Sequence, residues 1–112
     1  MAHYAFLDEN NKVIEVIVGK DEDDIETLPD EFSVWEEYYL TKRPEASDCK
    51  RTSYNTANNQ HLGNGEPFRG NYAGIGYIYD VINDVFYPTM PEIYGKTFEL
   101  DNSIWSWVEI TE

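Results

Sequence analysis

Three pairs of short segments rich in β-branched and aromatic residues place the strongest constraint on how this chain can fold. The first pair is HYAFLD at 3–8 and VIEVIV at 13–18, and residues 9–12 between them form a turn sequence. The second pair joins 76–79 to 85–87, and the third joins 97–100 to 105–108. Segments of this kind around short polar turns are typical of antiparallel β-hairpins, so the sequence predicts three of them.

The second arm of the first hairpin also predicts which face is buried. Side chains alternate between the two faces of a strand. The face with Ile14, Val16 and Val18 is more apolar than the face that contains Glu15. We therefore expect Ile14, Val16 and Val18 to meet the core.

A short helix is predicted between the first and second hairpins. Asp30 is suited to the N-cap, and Pro44 ends the pattern. Aromatic residues at i, i+3, i+6 and i+7 form an apolar stripe along this helix. The stripe consists of Phe32, Trp35, Tyr38 and Tyr39.

Residues 44–76 are predicted to be mostly turns and loop. The block 50–80 holds five of the seven glycines and four tyrosines, with a run of asparagines. Glycine and asparagine occupy left-handed backbone positions at little cost, so irregular but ordered backbone is expected here. The predicted fold is a single small domain, 1–112, of the α+β class and mostly β. In it, two or three antiparallel hairpins pack with one short helix and a long ordered central loop.

Charge narrows the classes of partner. The chain of 112 residues has a formal net charge of −14. The acidic excess lies in residues 1–41 and 70–112, whereas residues 42–69 are slightly basic. Such a chain is repelled by nucleic acid and by anionic membranes, so neither is expected as a direct partner. The lone Cys49 excludes an intramolecular disulfide, and we expect a location inside a cell.

Residues of the central block are the candidate binding residues. Arg51 and Arg69 both stand among aromatic and amide side chains, a composition typical of protein interfaces. The predicted interface consists of Arg51, Tyr54, Asn55, Arg69, Asn71, Tyr72 and Tyr77. The alternative is that both arginines bind loop carbonyls and neighbouring carboxylates within this acidic chain.

The residues that could indicate phosphate binding, a cysteine nucleophile or a metal site are better explained by turns and packing. The glycine spacings match neither dinucleotide-binding nor phosphate-loop patterns. Cys49 and His61 lack the surrounding signature of a nucleophile and its base, and a buried thiol is expected instead. Asp80, with its neighbours at 83 and 84, could hold Ca²⁺, or its carboxylate could bind its own turn backbone. We predict no catalytic residues, no metal site and no cofactor.

Two stretches carry a resemblance to a known family. KRTSYNT at 50–56 and PFRGNYAGIGYIYD at 67–80 resemble a family of small uncharacterised proteins of marine cyanophages and related environmental phages. The first hairpin is similar to the start of those proteins, and the last hairpin is similar to their ends. Residues 21–48 depart from the family pattern, because they form a longer and more acidic stretch. The resemblance implies two locations, the cytoplasm of an infected bacterium and the virion. It supplies no activity and no catalytic residues.

The expected function is therefore non-enzymatic: a virion-associated or assembly protein whose 50–79 block contacts a second copy or another virion or host protein. An exposed face with Trp105 and Trp107 would mark a contact in a homo-oligomer. One alternative is an acidic protein that binds a host protein by mimicking nucleic acid. A small enzyme or carbohydrate-binding module is a further alternative, which a concave pocket lined by Tyr54, Arg69, Tyr72 and Tyr77 would favour.

Overall fold

The computed structural model describes residues 2–21, 23–53, 55–61, 63 and 68–110. Within them the fold is α+β and mostly β, with antiparallel hairpins and one short helix, which confirms the predicted class. The elements in chain order are β1 Ala2–Leu7, β2 Val13–Gly19, α1 Trp35–Leu40, β3 Asp48–Thr52, β4 Thr56–Ala57, β5 Gln60–His61, β6 Ile78–Asp80, β7 Val85–Tyr87, β8 Phe98–Asp101 and β9 Ser106–Glu109.

Strand β1 is the centre of the core. It pairs antiparallel with β2 on one side and with β3 on the other, so the sheet order is β2-β1-β3. Ala5 and Leu7 face one hydrophobic cluster, which includes Phe86 of β7. Tyr4 and Phe6 face a second cluster, on the side of α1. Because both faces are covered, β1 is apolar or aromatic at every position except His3, and each large side chain buried there contributes about 1.5–3 kcal/mol.

The first hairpin forms as predicted, and its turn shows why. The Asp8 carboxylate accepts hydrogen bonds from the backbone N–H of Asn10 at 2.8 Å and of Lys12 at 3.0 Å. Asn11 has a φ of 62°, a left-handed position that asparagine tolerates well. Local side-chain bonds of this kind stabilise a turn without help from the rest of the chain.

The prediction for the buried face of β2 is wrong at two positions. Ile14 and Val18 are exposed, whereas Val13 is buried in the cluster of Leu7. The register shifts between Phe6 and Leu7, so that Leu7 lies opposite Val13 and not opposite Ile14. Such a β-bulge adds one residue and reverses the alternation beyond it. Val13 and Val16 therefore pack against the same cluster.

The helix is shorter than predicted. It begins after Val34 rather than at Asp30, and residues 30–34 form turns and irregular backbone. The Glu37 carboxylate accepts from the backbone N–H of Ser33 at 2.9 Å and of Val34 at 3.2 Å, and so satisfies amides that a helix start leaves unpaired. The later half of the aromatic stripe packs as expected. Trp35 is buried, and its ring lies 5.6 Å from that of Tyr39.

Residues 44–76 contain more strand than predicted. Strand β3 completes the main sheet, and its Cys49 and Thr52 are buried on opposite faces of that sheet. Strands β4 and β5 form a small hairpin whose turn is Asn58-Asn59, and both asparagines have positive φ, as their composition indicated. The other described residues of this stretch have irregular backbone and are held by hydrogen bonds to neighbouring segments. For example, the buried Thr52 hydroxyl accepts from the backbone N–H of Ala73 at 2.9 Å.

The second and third hairpins form at the predicted positions, as β6–β7 and β8–β9. Trp107 lies in β9, whereas Trp105 has a φ of 50° and precedes the strand. Both tryptophans are partly exposed, and both pack against Tyr87, with ring centroids 6.2 and 6.3 Å from it. The Trp107 indole N–H also donates to the Pro88 carbonyl at 2.6 Å.

Candidate functional site

The predicted interface residues do not form one surface. Arg51 and Arg69 lie close together, whereas Asn71 is buried and Tyr77 packs against the cluster of Leu7. The remaining predicted residues are dispersed or undescribed, and Tyr54 lies outside the described residues. The geometry therefore divides the six described residues into an arginine pair, the buried amide of Asn71, and three residues that make separate local contacts.

Arg69 is bound on several sides by other parts of the chain. Its Nη1 donates to Glu36 Oε2 of α1 at 2.9 Å and to the carbonyl of Arg51 at 2.8 Å. Its Nε lies 2.9 Å from Asp84 Oδ1, in the turn between β6 and β7. The side chain is only 16% exposed. Arg69 thus joins the helix, the edge strand β3 and the second hairpin, as the alternative interpretation of this residue anticipated.

The protonation of Arg69 is secured by Glu36. Burial by itself would lower the pKa of the guanidinium, but the hydrogen bond and charge of Glu36, with the charge of Asp84, raise that pKa above its ordinary value. Glu36 also accepts from the backbone N–H of Arg51 at 2.5 Å. One carboxylate therefore holds both a buried cation and the backbone of β3.

The backbone at Arg69 and Gly70 explains how this side chain reaches the helix. Both residues have positive φ, 52° and 77°. A Cβ at Gly70 would lie 3.1 Å from Val85 and 3.2 Å from Trp105, so these neighbours would have to move by a few tenths of an ångström to admit a side chain. The tight turn brings the Arg69 carbonyl to the N–H of Phe86 at 2.7 Å. Glycine is thus favoured at position 70 by its positive φ and by the tight space around it.

Arg51 and Arg69 both contact the ring of Phe68. The guanidinium carbon of Arg51 lies 3.9 Å from the ring centroid, and that of Arg69 lies 4.8 Å from it. Cation–π contacts of this length are favourable, and more so where water is excluded. Arg51 and Arg69 therefore do assemble around an aromatic residue of the central block, Phe68.

Asn71 is a buried connector. Its Nδ2 donates to the carbonyl of Phe86 at 2.8 Å and to that of Trp105 at 2.7 Å, while its Oδ1 accepts from the N–H of Asn58 at 2.8 Å. These bonds join the small hairpin β4–β5, the second hairpin and the segment before β9. A buried amide with its oxygen and nitrogen both bonded serves the fold.

The other predicted side chains take part in separate local contacts. The ring of Tyr72 meets that of His3 edge to face, with centroids 5.4 Å apart. The carbonyl of Tyr77 accepts from the N–H of Val13 at 2.8 Å. The backbone N–H of Asn55 donates to Ser53 Oγ at 3.3 Å. Tyr72 and Tyr77 do not join Arg69 in lining the cavity described next, and Tyr54, the fourth residue of the predicted pocket, lies outside the described residues.

A cavity of about 150 Å³ lies between α1, the adjacent face of the sheet and the residues at 68–69. It is lined by Tyr4, Val34, Trp35, Glu36, Arg51, Phe68 and Arg69. Sequence analysis missed five of these. Tyr4 lies in the first strand, Val34, Trp35 and Glu36 lie at the start of the helix, and Phe68 was not among the predicted binding residues. Only the long-range pairing of β3 with β1 sets Arg51 opposite Tyr4, and the local sequence carries no signal of that pairing.

The candidates for catalysis and metal binding are occupied with structural contacts. Cys49 is buried as expected, and burial together with the charges of Glu36 and Asp48 raises the pKa of its thiol to about 12, so a reactive thiolate is disfavoured. The Asp80 carboxylate accepts from the N–H of Ile82 and of Asn83, which is the turn chemistry predicted as the alternative to Ca²⁺. Within the described residues, no three His, Cys, Asp or Glu side chains form a group that could hold a metal ion.

Comparisons with known proteins leave the site to be interpreted from its own geometry. No family model matches the chain, and no curated protein or solved structure is significantly similar to it. The resemblance to phage proteins therefore stays a prediction. Across the described residues, no helix has the length and apolar character needed to cross a membrane.

Proposed function

We propose that this protein is a non-enzymatic phage protein that works through protein–protein contacts, as a component of the virion or of its assembly, and that its first partner is a second copy of the chain. The phage source and the virion follow from the sequence resemblance alone. The contact surface follows from a structural observation. One part of the chain that has no buried residue is rich in aromatic and apolar side chains, and it begins at the end of β7 rather than in the central block.

The observation that carries the proposal concerns residues 87–110, here called the C-terminal segment. Every residue in it stays at least partly exposed, although it includes Tyr87, Tyr94, Phe98, Trp105 and Trp107. It ends in the two-stranded sheet β8–β9. An isolated two-stranded sheet is marginally stable in water and needs a third layer or a partner.

The size of the molecular surface agrees with incomplete packing. The chain exposes 7316 Å², whereas a compact monomer of 13.1 kDa exposes roughly 6,400 Å². Its radius of gyration is 15.4 Å, against about 13 Å for a compact domain of this length. The exposed area in excess of the compact value is roughly 900 Å². Each partner in a standard protein interface buries a similar area, about 800 Å².

The loop that leads into β8 is suited to contact with a second copy. Ile93 is 50% exposed and Tyr94 is fully exposed, beside the exposed Met90. Residues 88–98 contain one acidic and one basic residue, so their net charge is zero in a chain of net charge −14. A neutral apolar surface lets two strongly acidic molecules approach where their charges repel least. Contacts between identical copies are also the commonest route to soluble oligomers.

Two measurements test the proposal together. Light scattering at high protein concentration should give a mass above that of the 13.1 kDa monomer. Mass spectrometry of purified particles of the encoding phage should find the chain among the virion proteins, or find it in assembly intermediates. A monomer at every concentration, combined with absence from particles and intermediates, would overturn the proposal.

A further inference from the structure

Tyr94 stands at the corner of a tight turn in the C-terminal segment. The backbone N–H of Lys96 donates to the carbonyl of Ile93 at 3.1 Å, so residues 93–96 close a β-turn. Gly95, the third residue of that turn, has a φ of 77°, the left-handed position that a type II turn requires there. The side chain of Tyr94 is fully exposed. The closed turn thus presents the ring outward before any partner binds, which lowers the entropic cost of a contact.

The cavity between α1 and the sheet can receive one ring of this size. Its volume of about 150 Å³ is comparable to that of cavities that hold one benzene-sized molecule. Val34, which lines it, is 48% exposed, whereas the neighbouring Trp35 is buried, so the cavity opens to solvent on the side of Val34. Because Tyr94 is fully exposed, the cavity is not filled by the ring of its own chain.

The lining of the cavity matches a phenol group. Three of its residues, Tyr4, Trp35 and Phe68, are aromatic, and aromatic rings pack favourably on one another. Glu36 also lines it, and both hydrogen bonds described for this carboxylate are accepted by Oε2. Oε1 can therefore accept from a hydroxyl that enters the cavity. Tyr94 supplies a ring and a hydroxyl, and the other large apolar side chains exposed in the C-terminal segment have neither.

Charge does not oppose a contact between these two surfaces. Residues 88–98 have no net charge. At the cavity, Arg69 is held by Glu36 and by Asp84, each at 2.9 Å. These two carboxylates balance the guanidinium groups of Arg69 and of Arg51, which also lines the cavity. The repulsion that a net charge of −14 creates between two copies is therefore small where the turn meets the cavity.

We propose that Tyr94 of one copy inserts into this cavity of the next copy, with its hydroxyl donating to Glu36 Oε1. The inference rests on the proposed self-association and adds the site that receives the C-terminal segment. The turn and the cavity are different surfaces, so the contact is heterologous, and each copy gives a ring to one neighbour and receives a ring from another. Contacts of this kind build rings or open chains of subunits, whereas a two-fold contact stops at the dimer.

Sedimentation equilibrium of the natural protein and two matched variants tests the receiving site. The mass of the natural protein should rise past that of a dimer with concentration. Val34→Phe fills the mouth of the cavity at an exposed position and should weaken association about tenfold or more. Val18→Phe is the control, because Val18 is exposed and lies opposite His3, whose side chain points away from the face of Tyr4. It should associate like the natural protein.

The outcomes separate this inference from the proposed function. Equal association of Val34→Phe and Val18→Phe would overturn the cavity as the receiving site and leave self-association intact. A natural protein that stops at the dimer would overturn the heterologous contact in the same way. A natural protein that is monomeric at every concentration would overturn the proposed function as well.

A mixture of two variants tests the direction of the contact. Tyr94→Ser keeps the cavity and lacks the ring, whereas Val34→Phe keeps the ring and lacks an open cavity. Each should be monomeric alone at a concentration where the natural protein associates. Mixed in equal amounts, they should form a heterodimer and nothing larger, because one insertion uses the only matching pair. A mixture that stays monomeric, or dimers of Val34→Phe alone, would contradict the proposal.

The hydroxyl of Tyr94 has its own test. Tyr94→Phe keeps the ring and loses the donor to Glu36, so association should weaken about threefold to tenfold. Association equal to that of the natural protein would exclude this hydrogen bond.

A small probe tests the cavity without a variant at its mouth. The probe is 4-methylphenol, which is the tyrosine side chain as a free molecule, titrated into the monomeric Tyr94→Ser protein. Amide chemical shifts of the lining residues should change and saturate, with a dissociation constant on the order of 1–10 mM. Absence of saturable shifts at these residues would contradict the proposal even if Val34→Phe failed to fold.

Discussion

Arg69 Nη1 donates to Glu36 Oε2 at 2.9 Å, and this ion pair connects the loop after β5 to the helix. Their side chains are 16% and 24% exposed, so solvent screens the pair only partly. Removing one partner of an ion pair that is shielded from water destabilises the folded protein, because the other charge is left without compensation. The pair is therefore a structural contact that positions Phe68 and the cavity wall.

Glu36→Gln should lower the free energy of unfolding by about 1–3 kcal/mol, because Arg69 then loses a charged acceptor. Glutamine has nearly the same size as glutamate, so the packing around position 36 is kept. Urea denaturation measures the change. Glu92→Gln, which removes the same charge from an exposed loop, should change the free energy by less than about 0.5 kcal/mol. A double-mutant cycle with Arg69→Met isolates the coupling between the two residues, and a coupling near zero would show that the ion pair does not stabilise the fold.

Asn71→Ala should lower the free energy of unfolding by about 2–4 kcal/mol, since it breaks three hydrogen bonds and leaves buried partners unpaired. Asn102 is an exposed asparagine in the turn between β8 and β9, and Asn102→Ala should stay within about 0.5 kcal/mol of the natural protein. Hydrogen exchange gives a second readout. In Asn71→Ala, the amides of β8 and β9 should lose more protection than those of β1, because Asn71 holds the carbonyl of Trp105.

The local parts of the fold were predictable and the long-range parts were not. Asp8 and Asn11 define the first turn through bonds to their own neighbours, so that hairpin is visible in the sequence. Strand β3 has the sequence DCKRT, with only Cys49 and Thr52 buried, and its identity depends on pairing with β1 more than forty residues earlier. No local pattern signals such a strand.

The same distinction applies to the candidate site. The basic and aromatic content of the central block predicted an interface around Arg51 and Arg69, and in the structure both guanidinium groups lie over the ring of Phe68. It could not indicate Glu36, because that residue reaches the arginines only through the packing of α1 on β3. Likewise, a one-residue bulge at Ile14 reversed the alternation on β2, and bulges leave no signal in the hydrophobic pattern.

Stability should decline at alkaline pH because of buried acids. The thiol of Cys49 ionises near 9.0 when exposed, and burial raises its pKa in the folded chain to about 12. The unfolded chain then loses its proton first, so stability is complete below pH 9.0 and falls as pH rises toward 12. Burial also raises the pKa of Tyr4 and of Tyr79, with the same direction of effect above pH 10.0.

Urea denaturation at several pH values checks this dependence. Each buried acid contributes at most about 1.4 kcal/mol per pH unit between its two pKa values. Cys49→Ala should show a shallower decline just above pH 9.0 than the natural protein does. A decline of equal slope in both proteins would exclude a contribution from the thiol.

The C-terminal segment should open more readily than the core of the protein. Amides of β1 lie between two paired strands and beneath two clusters, whereas the β8–β9 sheet is paired only with itself. At low protein concentration, the free energies of opening for β8 and β9 should be at least about 2 kcal/mol below those of β1. Hydrogen exchange with residue resolution measures both values. Equal protection in the two regions would mean that the segment is stable without a partner.

Self-association through the C-terminal segment is the central claim, and sedimentation equilibrium of three proteins tests it most directly. The natural protein should be heavier than a monomer at concentrations of about 100 µM and above, the range expected for a weak homotypic contact. Tyr94→Ser should restore the monomer, whereas Ile82→Ser, at an equally exposed apolar residue in the turn between β6 and β7, should associate like the natural protein. A monomeric natural protein at all concentrations, or the same association in Tyr94→Ser as in Ile82→Ser, would contradict the account.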